Sequence, residues 1–107
     1  MKTLYVSDLD GTLLRSDETI SDYMNSTINE LVNKGMIFSY ATARSYYTAH
    51  KVVVFDDEKN DVDMFMLADE AYAVENAVKE LKELATAVID SNNNDGVARW
   101  LKNNFYI

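Results

Sequence analysis

Apolar residues arrive in two rhythms along this chain. Short unbroken runs, Leu4-Tyr5-Val6, Met36-Ile37-Phe38-Ser39-Tyr40, Val52-Val53-Val54-Phe55, Ala71-Tyr72-Ala73-Val74 and residues 86–89, are bounded by polar clusters and predict buried strands. Between them apolar positions recur at helical spacing. Ser21 offers an N-cap to Met24, Thr27, Ile28, Leu31 and Val32, and Gly35 supplies the stop. A second helix carries Val62, Phe65, Met66 and Ala68, and a third spans 77–84 with Val78, Leu81 and Leu84 on one face. Asn92-Asn93-Asn94-Asp95 is expected to cap a last helix over 96–103 with Val97, Trp100 and Leu101 inward. Strands alternating with helices predict an α/β fold, a Rossmann-like parallel sheet with helices on both faces. Sheets of this kind bind ligands at the carboxyl ends of their strands. Three polar clusters fall at that edge: Asp8-Leu9-Asp10-Gly11-Thr12, Ala41-Thr42-Ala43-Arg44, and the acidic run from Asp56 to Asp61.

Composition narrows what that edge can hold. The 107 residues are 48% apolar, enough for a single domain over 1–107 and too few for two. With 3 glycines and no proline there is no flexible linker. The absence of cysteine excludes disulfides, zinc-thiolate sites and thiol nucleophiles, and suits a reducing cytoplasm. Eighteen acidic residues against 10 basic ones, a net charge of -8 with no Lys/Arg cluster, argue against nucleic acid and anionic membrane surfaces as partners. A phosphorylated ligand would need a cation as intermediary. No apolar run approaches the roughly 20 residues of a membrane span. The run after Lys2 ends at Ser7 and Asp8, too early for a signal peptide, so a chain without a leader is expected.

Each cluster has a structural and a chemical reading. Asp10-Gly11 suits a tight turn; equally, Asp8 and Asp10 at a strand end can divide labour, one attacking or holding a metal while the other carries a proton. Thr42 either caps a helix or presents its hydroxyl and amide to phosphate oxygens. Asp56, Asp57, Glu58 and Asp61 are an acidic first helical turn or, facing Asp8 across adjacent strands, an all-oxygen site for Mg²⁺.

Taken together, these motifs resemble the haloacid dehalogenase superfamily of phosphohydrolases. Asp8-Leu9-Asp10-Gly11-Thr12-Leu13-Leu14 is similar to its first motif, Ala41-Thr42-Ala43-Arg44 to its second, and Asp57-Glu58-Lys59-Asn60-Asp61 to its acidic fourth. Residues 72–77 and 88–98 resemble the C-terminal part of the Cof-type branch, bacterial sugar-phosphate and nucleotide phosphatases. The resemblance implies a Mg²⁺-dependent phosphatase of small phosphate monoesters. Asp8 would be the nucleophile and Asp10 the acid and base. Mg²⁺ would lie between Asp8, the main-chain carbonyl of Asp10 and Asp57, with Asp61 supporting the metal shell. Thr42 and Asn60 would bind phosphate.

The chain also departs from that family. Its third-motif lysine has no evident counterpart, since Lys34 lies just before the second strand and Lys51 starts the next strand at its amino end, so both are expected to point away; Lys59 and Arg44 are the substitutes on offer. Asp56 stands where the family usually has glycine. Only nine residues separate Thr42 from Val52, where Cof-type members insert a cap domain, so the junction at 45–51 marks a truncated core. In the family's sheet order these two strands flank the first. Crossing it usually takes a dozen residues or more, whereas nine extended ones reach roughly 30 Å. The expectations are an irregular, helix-free crossing, or a homo-oligomer in which the segment from Val52 onward is exchanged between two chains. In the junction His50 is expected to be a surface residue and Tyr46 and Tyr47 to cover the sheet edge, with no catalytic role for any of them. The alternative to a phosphatase is an impaired module that binds Mg²⁺ or a partner without turnover. The physiological substrate is not encoded in these motifs.

Overall fold

Every predicted run becomes a strand, and every strand is parallel to its neighbours. The computed structural model of the chain describes residues 3–40, 51–58 and 62–105. The strands are β1 (Thr3–Ser7), β2 (Ile37–Tyr40), β3 (Lys51–Asp56), β4 (Glu70–Val74) and β5 (Ala87–Ile89), and the helices are α1 (Asp22–Asn33), α2 (Val62–Leu67), α3 (Lys79–Leu84) and α4 (Gly96–Asn104). The sheet order is β2-β1-β3-β4-β5. Central β3 is an unbroken apolar run because it is covered on both sides: Val52, Val53, Val54 and Phe55 are all buried.

The direction of each step along the sheet decides which face a helix covers. From β1 to β2 the chain moves one way, through α1; from β3 to β4 and β5 it moves the other way, through α2 and α3. Right-handed crossovers therefore set α2 and α3 against the face opposite α1. Phe65 of α2 and Leu81 of α3 are buried there. The fourth helix packs beside α1. Its Trp100 ring lies 4.6 Å from Tyr72, 5.3 Å from Phe55 and 6.3 Å from Tyr5 between centroids. Phe105 closes the group, 5.9 Å from Tyr5.

Helix ends follow the expected chemistry in part. Ser21 caps α1, its Oγ accepting from the Met24 amide at 2.9 Å, and Gly35 ends the turn beyond it at φ 106°, a left-handed conformation that favours glycine. Asp95 occupies the N-cap position of α4 as expected, but its side chain makes no capping bond. Asn92–Asn94 forms a single 3₁₀ turn, Asp95 takes the left-handed conformation at φ 58°, and its carboxylate accepts from Arg15 Nη2 at 3.0 Å and from Ser21 Oγ at 2.7 Å. The apolar faces are narrower than the spacing predicts, since Val32, Met66, Val78 and Leu84 are exposed.

The chain passes from β2 to β3 through residues 41–50, which lie outside the described residues, as do Thr42, Arg44, Tyr46, Tyr47 and His50. On either side of that passage, β2 and β3 both pair with β1. Among the described residues no helix is long and apolar enough to cross a membrane.

Candidate active site

Adjacent parallel strands in register end level with one another, so whatever follows them meets at one edge. Ser7 of β1 aligns with Phe55 of β3, and the next residues are Asp8 on one strand and Asp56 and Asp57 on the other. The Asp8 amide continues the ladder by donating to the Phe55 carbonyl at 3.0 Å. Beyond Asp8 the chain makes a wide turn over Leu9–Leu13, closed by the Leu13 amide on the Asp8 carbonyl at 3.3 Å and the Leu14 amide on the Leu9 carbonyl at 2.9 Å.

Gly11 is required at the crown of that turn. Its φ of 76° is left-handed, and a Cβ there would overlap the Asp57 carboxylate. The next residue, Thr12, is fully buried and donates from Oγ1 to Asp57 Oδ1 at 2.9 Å. The turn after β3 is held by its own acid: Asp56, also fully buried, accepts at Oδ1 from the amides of Asp57 at 2.8 Å and Glu58 at 3.3 Å. An aspartate in place of glycine thus builds a turn that backbone freedom alone would leave loose.

The result is a cleft of about 420 Å³ lined by Asp8, Asp10, Gly11, Asp57 and Glu58. Asp8, Asp56 and Asp57 each bring a carboxylate oxygen within 4.8 Å of the others. Burial pushes the Asp8 carboxyl up, the side-chain contact with Asp57 and the charges of Asp56 and Asp57 push it further, and the Leu9 amide pulls the other way; the outcome is about 7. A carboxyl whose ionisation is resisted first by burial and then by neighbouring acids marks a place short of positive charge.

Of the residues expected to act, Asp8 and Asp57 come together in the cluster, and Asp10 lines the same cleft with its side chain exposed. Thr42, Asn60, Asp61 and Lys59 lie outside the described residues. Lys34 pairs with Glu30 at 3.4 Å on α1, and Lys51 pairs with Glu70 at the amino end of β3. Both are turned to tasks away from the cleft, as the position of Lys34 before β2 and of Lys51 at the amino end of β3 implies. Thr12, Asn76 and Asn92 fall in segments that the sequence singled out, but none of them was assigned a task at the site. Asn76 Nδ2 donates to the Gly11 carbonyl at 2.7 Å, and Asn92 Nδ2 donates to the Leu14 carbonyl at 3.0 Å. Asparagines at strand ends were the available signal, but their partners are more than sixty residues away.

A doubly wound parallel sheet whose two central strands deliver carboxylates to one open edge defines a Rossmann-like α/β protein with an acidic site. Comparison makes the class specific: the haloacid dehalogenase-like hydrolase family matches residues 5–54 and 48–101, two stretches that overlap at 48–54, and the chain belongs to this family. It is 35% identical over 71 residues to the phosphoglycolate phosphatase of Archaeoglobus fulgidus, covering 66% of this chain and 32% of that protein. It is 31% identical over 80 residues to the 5-amino-6-(5-phospho-D-ribitylamino)uracil phosphatase YitU of Bacillus subtilis, covering 71% of this chain and 30% of that protein. The chain spans about a third of the length, or less, of the curated relatives it matches. The fold resembles the crystal structure of a haloacid dehalogenase-like hydrolase from Bacteroides thetaiotaomicron, with a TM-score of 0.81 at 12% identity over 98% of this chain and 100% of that one. A Thermotoga maritima crystal structure gives a TM-score of 0.77 at 14% identity over 100% and 99%.

Proposed function

We propose that this chain is the core of a cytoplasmic, Mg²⁺-dependent phosphohydrolase that cleaves small phosphate monoesters, of sugar-phosphate or nucleotide type, through an aspartyl-phosphate. The observation that carries this reading is the cluster of Asp8, Asp56 and Asp57 at the carboxyl edge. The donor set is all oxygen and crowded with like charge, which suits a hard cation. Asp8, Asp57 and the Asp10 main-chain carbonyl would hold Mg²⁺, with Asp56 and Asp61 behind them. When bound, the ion offsets the charge of the carboxylates and of the phosphoryl group.

In this reading an Asp8 carboxylate oxygen attacks phosphorus. As the bond to the leaving oxygen breaks, Asp10 supplies that oxygen with a proton. Asp10 then takes a proton from water, which attacks the phosphorus and releases Asp8 with inorganic phosphate. Asp10 is exposed in the cleft wall, free to face a substrate rather than the cluster. Thr42 and Asn60 are the proposed phosphate ligands. The decisive assay is hydrolysis of an aryl phosphate with and without Mg²⁺. Turnover that survives Asp8→Ala or ignores the metal defeats the mechanism.

The two overlapping family matches and the far greater length of the relatives support a further proposal: the junction at 45–51 is where a cap domain and the third-motif lysine belong. Because that lysine has no counterpart among the described residues, a second reading is an impaired module that binds Mg²⁺ or a partner. Mg²⁺-dependent thermal stabilisation without turnover would select it. The short link is the ground for expecting exchange of the segment from Val52 onward between two chains, but β3 pairs with β1 and Asp57 meets Asp8 within one chain, which favours the irregular crossing; light scattering that shows a monomer at high concentration rejects exchange outright.

A further inference from the structure

The stretch just after β4 touches both acid-bearing turns at once. Two residues beyond Val74, the Asn76 side chain donates from Nδ2 to the Gly11 carbonyl at 2.7 Å and accepts at Oδ1 from the Asn92 amide at 3.0 Å. Two residues further, the Val78 amide donates to the Asp57 carbonyl at 3.0 Å. Asn92, itself buried, holds the Leu14 carbonyl at the far end of the loop that follows β1. One short segment is therefore bonded to the main chain of the loop carrying Asp8 and Asp10 and to that of the turn carrying Asp57.

Such a brace has a physical task. Three carboxylates within 4.8 Å repel one another, and two of them, Asp8 and Asp57, lie just beyond the ends of β1 and β3, where the ladder no longer fixes the chain on both sides. A neutral amide behind them can hold the spacing without adding to the field. The residue must donate to a carbonyl and accept from an N–H simultaneously, which a carboxamide does and a carboxylate does not.

We propose that Asn76 is a positioning residue of this site: by bracing the Gly11 peptide, beside the Val78 bond to Asp57, it sets the separation of the two acidic turns and thereby the affinity for Mg²⁺ and the rate of phosphoryl transfer. The proposal rests on the functional reading above. Residues that orient metal ligands from behind typically change affinity or activity by roughly ten-fold or more when removed.

The test compares Asn76→Ala and Asn76→Asp in the whole chain with Thr86→Val, a control at the opposite edge where the Thr86 hydroxyl accepts from the Ala71 amide at 3.0 Å. Amide hydrogen exchange is read on the metal-free proteins, the Mg²⁺ midpoint from thermal stabilisation, and kcat and KM with an aryl phosphate. Both Asn76 variants are expected to speed exchange over residues 11–13 and 57–58 while the sheet amides keep their protection. The Mg²⁺ midpoint should rise roughly ten-fold, and kcat should fall with KM little changed. Asn76→Asp, which keeps the size and loses the donor, should fail as Asn76→Ala does. Loop exchange and Mg²⁺ midpoints no different from those of Thr86→Val overturn the proposal, as does an unaltered midpoint with faster loop exchange. A wild-type chain that Mg²⁺ does not stabilise defeats the functional reading instead, and exchange alone then decides whether Asn76 braces the loop.

Discussion

Gly11 carries two constraints at one atom, a left-handed backbone and a neighbouring carboxylate where a Cβ would be. Gly11→Ala should therefore cost about 1–3 kcal/mol in stability by denaturant unfolding, and should displace Asp57 so that Mg²⁺ no longer raises the melting temperature. Asp8 gives a pH signature. Its folded pKa of about 7 lies above the ordinary value of 3.8, so the folded chain holds this proton more tightly than the unfolded one. The stability linked to it is whole at acid pH and is lost as pH rises through about 7. In metal-free protein, Asp8→Asn should match the wild type near about pH 4 and melt increasingly higher than it toward about pH 8. In the proposed site Mg²⁺ would compete with the same proton, so its stabilisation of the wild type should be larger at the alkaline end. Calorimetry across pH checks both trends, and a pH-independent difference would remove Asp8 as their source.

At the scale of elements, the two six-residue helices α2 and α3 are too short to persist alone and depend on what they bury. Leu81 is the buried residue of α3, so Leu81→Ala is expected to cost roughly 2–5 kcal/mol, whereas Val78→Ala and Leu84→Ala should cost far less; equal losses at all three would contradict the packing. Ser21 links elements as well as capping one, since its hydroxyl also donates to Asp95. Ser21→Ala should lose about 1–2 kcal/mol, with faster amide exchange at both α1 and the 92–95 turn. Strand positions were readable to within a residue or so because short apolar runs bounded by polar clusters mark them, although the runs are fully buried only toward the centre of the sheet and Ile37 of β2 and Val88 of β5, on the edge strands, are exposed. Helix faces were less readable. In α3 the spacing of Val78, Leu81 and Leu84 suggested three inward residues, but Val78 is the residue before the helix and spends its amide on Asp57 instead.

For the whole molecule, the flanking of β1 by β2 and β3 was what the family resemblance implied, and the meeting of Asp8 with Asp57 followed from motifs that sit at strand ends, where a parallel sheet must gather them. Long-range polar contacts were not legible in the same way. The bonds from Arg15 and Ser21 to Asp95 span 80 and 74 residues, and no periodicity registers them. Removing divalent cations should lower the melting temperature of the wild type and leave that of Asp8→Ala unmoved, as expected of an ion that binds only the folded cluster. Titration with a chelator reads this directly, and equal shifts in both proteins would put the ion elsewhere.

The grouping of Trp100 with Tyr72, Phe55, Tyr5 and Phe105 has an optical consequence. Trp100 is the sole tryptophan, and Tyr72 and Tyr5 lie within contact range of its ring. Light absorbed by either tyrosine should pass to the indole by resonance transfer, so emission excited through tyrosine reports whether α4 rests on β1, β3 and β4. The acidic cleft belongs to other residues at the carboxyl edge. Events there should leave this glow unchanged until the last helix peels from the sheet, so the chain carries a built-in lamp for docking of its C-terminal helix that is dark to chemistry at the site.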